Sequence, residues 1–132
     1  MNFGDNFEDI NKIFYSLDKK EQLFITDEDF EDKKLVKYRK VLYLENEPIS
    51  FIELYVPKNF VREGYIVIGT KKEFRRMGYS RILVQKAEEE LKELSYNKLY
   101  WIFKEENEIS KNMAISLGYK YLKGRTYYKK IR

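Results

Sequence analysis

Two short apolar runs, Tyr65-Ile66-Val67-Ile68 and Leu99–Phe103, bracket a stretch whose apolar residues recur at helical spacing: Tyr79, Ile82, Leu83, Ala87, Leu91 and Leu94. Strand, helix and strand in that order build a parallel pair with a crossover, and parallel strands need cover on both faces. The wholly apolar Leu99–Phe103 suits a central position of this kind. Hairpin signals surround the unit. Tyr38 and Val41–Leu44 read as strand, Glu45-Asn46-Glu47-Pro48 as a turn, and Ile49–Val56 as the returning strand. Along that strand Phe51, Glu53 and Tyr55 share one face, and Ile52, Leu54 and Val56 the other. Pro57-Lys58-Asn59 breaks it before a third strand over 61–69. Downstream, Glu108–Leu117 reads as a helix that Gly118 stops, followed by a hairpin, Tyr119–Leu122 and Thr126–Ile131, turning at Lys123-Gly124-Arg125. The expected fold is therefore α/β, with a mixed, mostly antiparallel sheet flanked by helices.

Ahead of the hairpins, Phe3, Phe7, Ile10, Phe14 and Leu17 alternate spacings of four and three, which predicts an amphipathic helix over 5–17. Asp18 and Glu21 resemble a capping box, so a short second helix is expected to about Ile25. Residues 26–34 read as an acidic loop. With 132 residues, no repeat and no low-complexity linker, the chain is expected to be a single domain over 1–132.

Composition narrows the chemistry. The chain has no Cys and no His, which removes Cys nucleophiles, His general bases and the usual zinc ligands, so no metal site is expected. Twelve Tyr, nine Phe and one Trp argue against wholesale disorder. Apolar runs stop near five residues, so no membrane span and no signal peptide is expected, and the protein is expected in the cytoplasm. The net charge of +4 is uneven: residues 1–35 carry ten acids against five bases, and the remainder twelve against twenty-one. The basic part should attract anions.

The most informative segment joins the strand at Tyr65–Ile68 to the helix at Tyr79. Between Gly69 and Arg81 it carries Lys71, Lys72, Arg75, Arg76 and Arg81, with Gly78 just before the helix. A helix N-terminus offers unpaired amides and partial positive charge, which suit a phosphate. A glycine lets backbone approach a ligand with no Cβ in the way. The bland alternative is an ordinary strand-to-helix loop with a solvated basic surface.

Two motifs sharpen the reading. Arg75-x-x-Gly78-x-Ser80 resembles the Arg/Gln-x-x-Gly-x-Gly/Ala signature of the GNAT family, the Gcn5-related N-acetyltransferases. Asn107-x-x-Ser110 followed by Leu117-Gly118-Tyr119 is similar to that family's Asn-x-x-Ala/Ser segment ending in Leu-Gly-Phe/Tyr. Element order agrees over about residues 36–132. The resemblance implies an acetyl-CoA site. Ile68, Gly69 and Thr70 would offer backbone groups to the pantetheine arm where the strand splays from its parallel neighbour. Amides of Arg76, Met77, Gly78, Tyr79 and Ser80 would hold the pyrophosphate, with Arg75 and Arg76 nearby, and Asn107 would meet the arm from the other side. Ser80 replaces the usual Gly or Ala, with a hydroxyl able to donate to a phosphate. Only Met1–Asn2 precede the amphipathic stretch, so the family's first strand is expected to be missing or vestigial.

The family's catalytic positions depart further. A Tyr serving as general acid in many members falls here on Ala114, and a Glu base in some falls on Gly64. Glu63 and, on the neighbouring strand, Glu53 are the remaining carboxylate candidates, each weighed against a solvated strand residue. Tyr79, Tyr119 and Tyr121 could supply a phenol, with core packing as the competing reading; Tyr119 is retained as a catalytic candidate. Asp27-Glu28-Asp29-Phe30-Glu31-Asp32 would rim an acceptor groove and attract a small-molecule or peptide amine. The expected activity is transfer of acetyl from acetyl-CoA to a primary amine by direct attack in a ternary complex, by a monomer or homodimer. Two alternatives stay open: a non-catalytic CoA-binding domain, favoured by Ala114 and Gly64, and an RNA-binding module using Arg75, Arg76, Lys120, Lys123, Arg125, Lys129 and Lys130.

Overall fold

The computed structural model describes residues 1–19, 22, 33–103 and 108–132. Strand β1 (Asn2–Gly4) leads into helix α1 (Phe7–Ser16), then β2 (Val36–Leu44), β3 (Glu47–Tyr55) and β4 (Glu63–Thr70). Helix α2 (Tyr79–Glu93), β5 (Lys98–Ile102), helix α3 (Glu108–Ser116), β6 (Lys120–Lys123) and β7 (Thr126–Lys130) complete the order. The strands form one seven-stranded sheet ordered β1-β2-β3-β4-β5-β7-β6. Only β4 and β5 run parallel; the other described neighbours are antiparallel. The mixed sheet read from the sequence is thus the sheet observed.

β3 lies near the middle, and Ile49–Tyr55 are buried without a break. Its alternation divides the core. Phe51 and Tyr55 join Val41 and Val67 beneath Ile10, Ile13 and Leu17 of the α1 side. Ile52 and Leu54 join Leu42, Ile66 and Leu99 against Leu83, Val84, Ala87 and Leu91 of α2. Side chains enclosed this fully contribute about 1.5–3 kcal/mol each. Asn6 starts α1: its side-chain oxygen accepts from the Glu8 amide at 2.8 Å, satisfying one orphan donor of the first turn. The β2–β3 hairpin turns on Glu45 and Asn46 alone, both at positive φ (51° and 68°), as a two-residue type I′ connection requires.

Several expectations need correction. The first strand is present, though vestigial at three residues: Asn2–Gly4 pair with Tyr43, Leu42 and Val41 of β2, and Phe3 packs on the α2 side of the core. Phe3 falls in register with the helical stripe, but its backbone satisfies its hydrogen bonds in the sheet, so α1 starts at Phe7. On α2, Leu94 is 62% exposed at the C-cap, and Val84 takes an interior place instead. Glu47 and Pro48 belong to β3 and not to the turn. Lys19 and Gln22 are helical; the rest of the expected second helix, and the acidic segment 27–32, lie outside the described residues.

Candidate active site

The parallel pair opens. β4 and β5 are in register at Glu63 with Lys98, Gly64 with Leu99 and Tyr65 with Tyr100, and β4 then runs on from Ile66 to Thr70 beyond the last pair. On its other side β4 stays paired with β3 all the way from Tyr65 to Thr70. Among the described residues the two strands therefore part beyond Tyr65 and Tyr100, leaving a cleft along β4 that includes Ile68, Gly69 and Thr70, the positions where the sequence predicts a ligand's arm. Two carbonyls there have protein partners: Gly69 O accepts from Ser50 Oγ at 3.1 Å, and Thr70 O from Arg75 Nε at 3.1 Å.

Hydroxyls lock the far end of β4 to α2. Thr70 Oγ1 lies 2.7 Å from Ser50 Oγ and 2.7 Å from Ser80 Oγ, forming a chain from β3 through β4 into the first turn of the helix. Ser80, read from the sequence as a phosphate donor, has its hydroxyl oxygen 2.7 Å from Thr70 Oγ1.

Between these elements the loop makes a 3₁₀ turn at Lys72–Phe74, then passes through Arg76 at φ +63° and Gly78 at φ +83°. Gly78 is the N-cap of α2 and has no side chain to cap with. The first intrahelical bond from the cap runs from the Ile82 amide to Gly78 O at 3.1 Å. The amides of Tyr79, Ser80 and Arg81 precede it, so the helix itself gives them no acceptor. A Cβ on Gly78 would meet nothing within 4 Å, which leaves open space over this turn. Arg75, Arg76 and Met77 are exposed around it, and Tyr79 packs edge-on against Phe74. Lys71 pairs with Glu47, Lys72 with Asp18, and Arg81 donates to Ser116, whereas Arg76 has no partner among the described residues. Asn107 lies outside the described residues.

The two carboxylate candidates sit on the α1 side of the sheet. Glu53 is not a solvated residue: it is 1% exposed, 3.3 Å from Arg39 Nε, and accepts from the Tyr55 hydroxyl at 3.4 Å. Burial, reinforced by the neighbouring Glu53 charge, raises the Tyr55 phenol above its ordinary value. Glu63 is half-buried and accepts from the Tyr100 hydroxyl at 2.6 Å. Burial, with that hydrogen bond, pushes Tyr100 up to about 12, so it donates at neutral pH. Gly64 has no room for the family's Glu, since a Cβ would lie 2.7 Å from Tyr55 O.

Tyr119 does not sit at the cleft mouth as an accessible acid. It is 2% exposed and packs edge-on against Trp101 at 5.4 Å. Burial first, and the charge of Glu88 second, raise its phenol far above the ordinary range. Ala114, the family's acid position, is likewise fully enclosed. Sequence reasoning missed Phe60, Tyr65 and Tyr100, whose rings cluster at 5.1–6.0 Å beside Glu63. Only the register of β4 on β5 brings Tyr65 and Tyr100 together, and local pattern does not encode that register.

Among the described strands one parallel pair, β4 and β5, parts beside the uncapped N-terminus of α2. A sequence profile described as the Acetyltransferase (GNAT) family matches residues 5–119, and the chain belongs to that family. No curated protein matches the chain. Among solved structures, a putative N-acetyltransferase from Lactobacillus plantarum superposes with a TM-score of 0.77 at 16% identity, covering 99% of this chain and 97% of that one. The ribosomal-protein-S18-alanine N-acetyltransferase from Escherichia coli gives 0.73 at 14% identity, covering 96% and 90%. PaiA N-acetyltransferase from Thermoplasma acidophilum, in complex with coenzyme A, gives 0.72 at 14%, covering 98% and 99%. At these identities the likeness is one of fold. Among the described residues no helix is long and apolar enough to cross a membrane.

Proposed function

We propose that residues 1–132 act as one domain, in the cytoplasm, transferring acetyl from acetyl-CoA to a primary amine by direct attack in a ternary complex. The observation that carries this reading is the cleft between β4 and β5 opening beside the uncapped start of α2. Bound acetyl-CoA would supply the thioester whose acetyl group is transferred. The residues present fit it. Amides of Arg76, Met77, Gly78, Tyr79 and Ser80, with open space over Gly78, suit a pyrophosphate, and Arg75 and Arg76 add positive charge. The backbone of Ile68, Gly69 and Thr70 suits the amide groups of an extended arm. Asn107 keeps its sequence-derived role as a contact from the opposite side.

Glu63, held by Tyr100, accepts the proton that the amine must lose, directly or through water. Glu53, one strand further and tied to Arg39, is the more remote base. No phenol is assigned as acid: a thiol of ordinary pKa, near 8.5, is a tolerable leaving group without one. The family likeness to a structure holding coenzyme A supports the cofactor. The enclosed Ala114 and the crowded Gly64 favour, as a second reading, a CoA-binding domain that lacks turnover.

Thermal unfolding with CoA tests the site. At about 100 times Kd, linkage stabilises by about 2.7 kcal/mol. Gly78→Val should abolish that shift, because a branched side chain fills the open space and resists positive φ. Gly78→Asn, tolerant of that backbone, is the folded control. An unchanged CoA shift in folded Gly78→Val overturns the cofactor site. Turnover against an amine panel separates the enzyme from the binding domain.

A further inference from the structure

Five carboxylates among the described residues are buried or half-buried: Asp9, Glu53, Glu63, Glu88 and Glu90. Four have a cation at salt-bridge distance, namely Lys12, Arg39, Lys129 and Lys40 in turn. Glu63 is the exception. Its strand partner in the ladder is a lysine, Lys98, yet that ammonium is elsewhere, 5.8 Å from the Tyr100 ring centre and 5.5 Å from that of Tyr128. Glu63 keeps one hydrogen bond, from Tyr100, and no cation at salt-bridge distance among the described residues. A partly desolvated carboxylate without a cation is costly unless something supplies one.

The surroundings say what shape that cation has. Strand alternation puts Glu63, Tyr65, Lys98, Tyr100 and Tyr128 on the same face of β4, β5 and β7. Phe60, just ahead of β4, closes a three-ring cluster: its centroid is 5.8 Å from Tyr65 and 6.0 Å from Tyr100, and those two are 5.1 Å apart. Aromatic faces attract alkylammonium groups and pack on methylene stems. Within the protein the Lys98 ammonium already lies 5.8 Å from the Tyr100 ring centre and 5.5 Å from that of Tyr128. Tyr65 and Tyr100 form the last pair before the strands part, so the cluster stands at the apex of the cleft.

We propose that Phe60, Tyr65, Tyr100 and Glu63 form the acceptor seat, and that the acceptor is an alkylammonium, a primary amine on an unbranched methylene stem. The inference rests on the acetyltransferase reading and narrows it. The ammonium supplies the ion pair that Glu63 lacks among the described residues, and the stem lies on the rings. One proton passes from the ammonium to Glu63, directly or through water. The freed amine forms a C–N bond to the acetyl carbonyl carbon as the C–S bond breaks, and the second nitrogen proton leaves through water while CoA departs as thiolate. Tyr100 is a positioning residue for the carboxylate.

The shared chemistry has two sources, a free diamine or a lysine side chain. The test therefore uses 1,5-diaminopentane and Nα-acetyl-lysine methylamide. Alanine methylamide represents an α-amine, and 4-methylaniline an amine uncharged at neutral pH. Binding of each to the CoA complex is measured by calorimetry, and turnover with acetyl-CoA by thiol release. We expect one or both stem-bearing ammoniums to bind at least tenfold tighter than the other two, the better one identifying the source. Glu63→Gln and Tyr65→Leu should each weaken that binding at least tenfold. Tyr100→Phe, which keeps the ring, should weaken it about threefold. The KM for acetyl-CoA should stay within twofold in all three, and the CoA-induced thermal shift reports that each is folded. Preference for the α-amine or the arylamine overturns the inference. So does ammonium binding indifferent to Glu63 and Tyr65 in variants that still bind CoA. Failure of the parent protein to bind CoA overturns the acetyltransferase reading itself.

Discussion

Replacing Thr70 by Val keeps the branched shape and deletes the hydroxyl at the centre of the Ser50–Thr70–Ser80 chain. Thr70 is 7% exposed and its Oγ1 makes two 2.7 Å contacts. Each such bond contributes about 1 kcal/mol net, so about 2 kcal/mol is at stake. The added methyl returns about 0.8 kcal/mol of burial. Neither former partner becomes an orphan donor, because Ser50 still donates to Gly69 O and half-buried Ser80 can turn to water. The expected loss is therefore about 1–2 kcal/mol, or roughly 3–8 °C in Tm for a chain of this size. Urea unfolding measures it, and a double-mutant cycle with Ser80→Ala isolates the contact. Since Ser80→Ala removes one of the two bonds that Thr70→Val removes, the pair should be non-additive by about 1 kcal/mol. Additivity within 0.3 kcal/mol, or a Thr70→Val protein as stable as its parent, would refute the claim that this chain ties β4 to α2.

Three further outcomes follow from the geometry. Gly64→Glu, which writes the family residue back, should destabilise by more than about 2 kcal/mol in urea unfolding and add no rate, because its Cβ would lie 2.7 Å from Tyr55 O. Ala114→Tyr should likewise destabilise by more than about 2 kcal/mol, since the position is wholly enclosed; a well-folded variant with faster thiol release would contradict this. The hydrogen bond from Tyr43 holds Asp9 below its ordinary value, so its contribution is present above about pH 4 and is lost as pH falls through the folded value. Tyr43→Phe should raise the Asp9 pKa by NMR titration and move the acid-unfolding midpoint, followed by circular dichroism, to higher pH.

Much of the fold was legible because its elements differ in period. The helical spacing of α2, the alternation on β3 and the stop at Gly118 are local signals, and each element forms where its signal lies. β1 was not legible: three residues carry too little pattern, and Phe3 fits the helical stripe as well as the strand. The loop with Gly78 could be read from its charge and its place before a helix. The proposed acceptor face could not. Glu53 is polar and looks solvated until Arg39 and Tyr55 are seen against it, and Tyr100 sits within an apolar run that predicts a strand and nothing about the phenol. The pairing of Tyr100 with Glu63 depends on contacts 37 residues apart.

The outer borders of the sheet are blunt. At one side stands β1, three residues long; at the other stands β6, fully exposed, carrying Lys120 and Lys123 and slipping register against β7 between Tyr121 and Lys123. Short, lysine-bearing or irregular borders discourage a further strand from another chain. Among the described residues two five-residue stretches of extended backbone lack a neighbouring strand on one side: Val36–Lys40 of β2, beyond its pairing with β1, and Ile66–Thr70 of β4, which faces inward across the cleft. In the proposed function the cofactor's arm completes the sheet at the inner of these, so it must be slim enough to enter between two strands of one sheet. A polypeptide strand with side chains on both faces meets the walls of that cleft, whereas a thin unbranched chain bearing amides does not. On the proposed reading, that inner stretch selects its ligand by thickness before any charge is read.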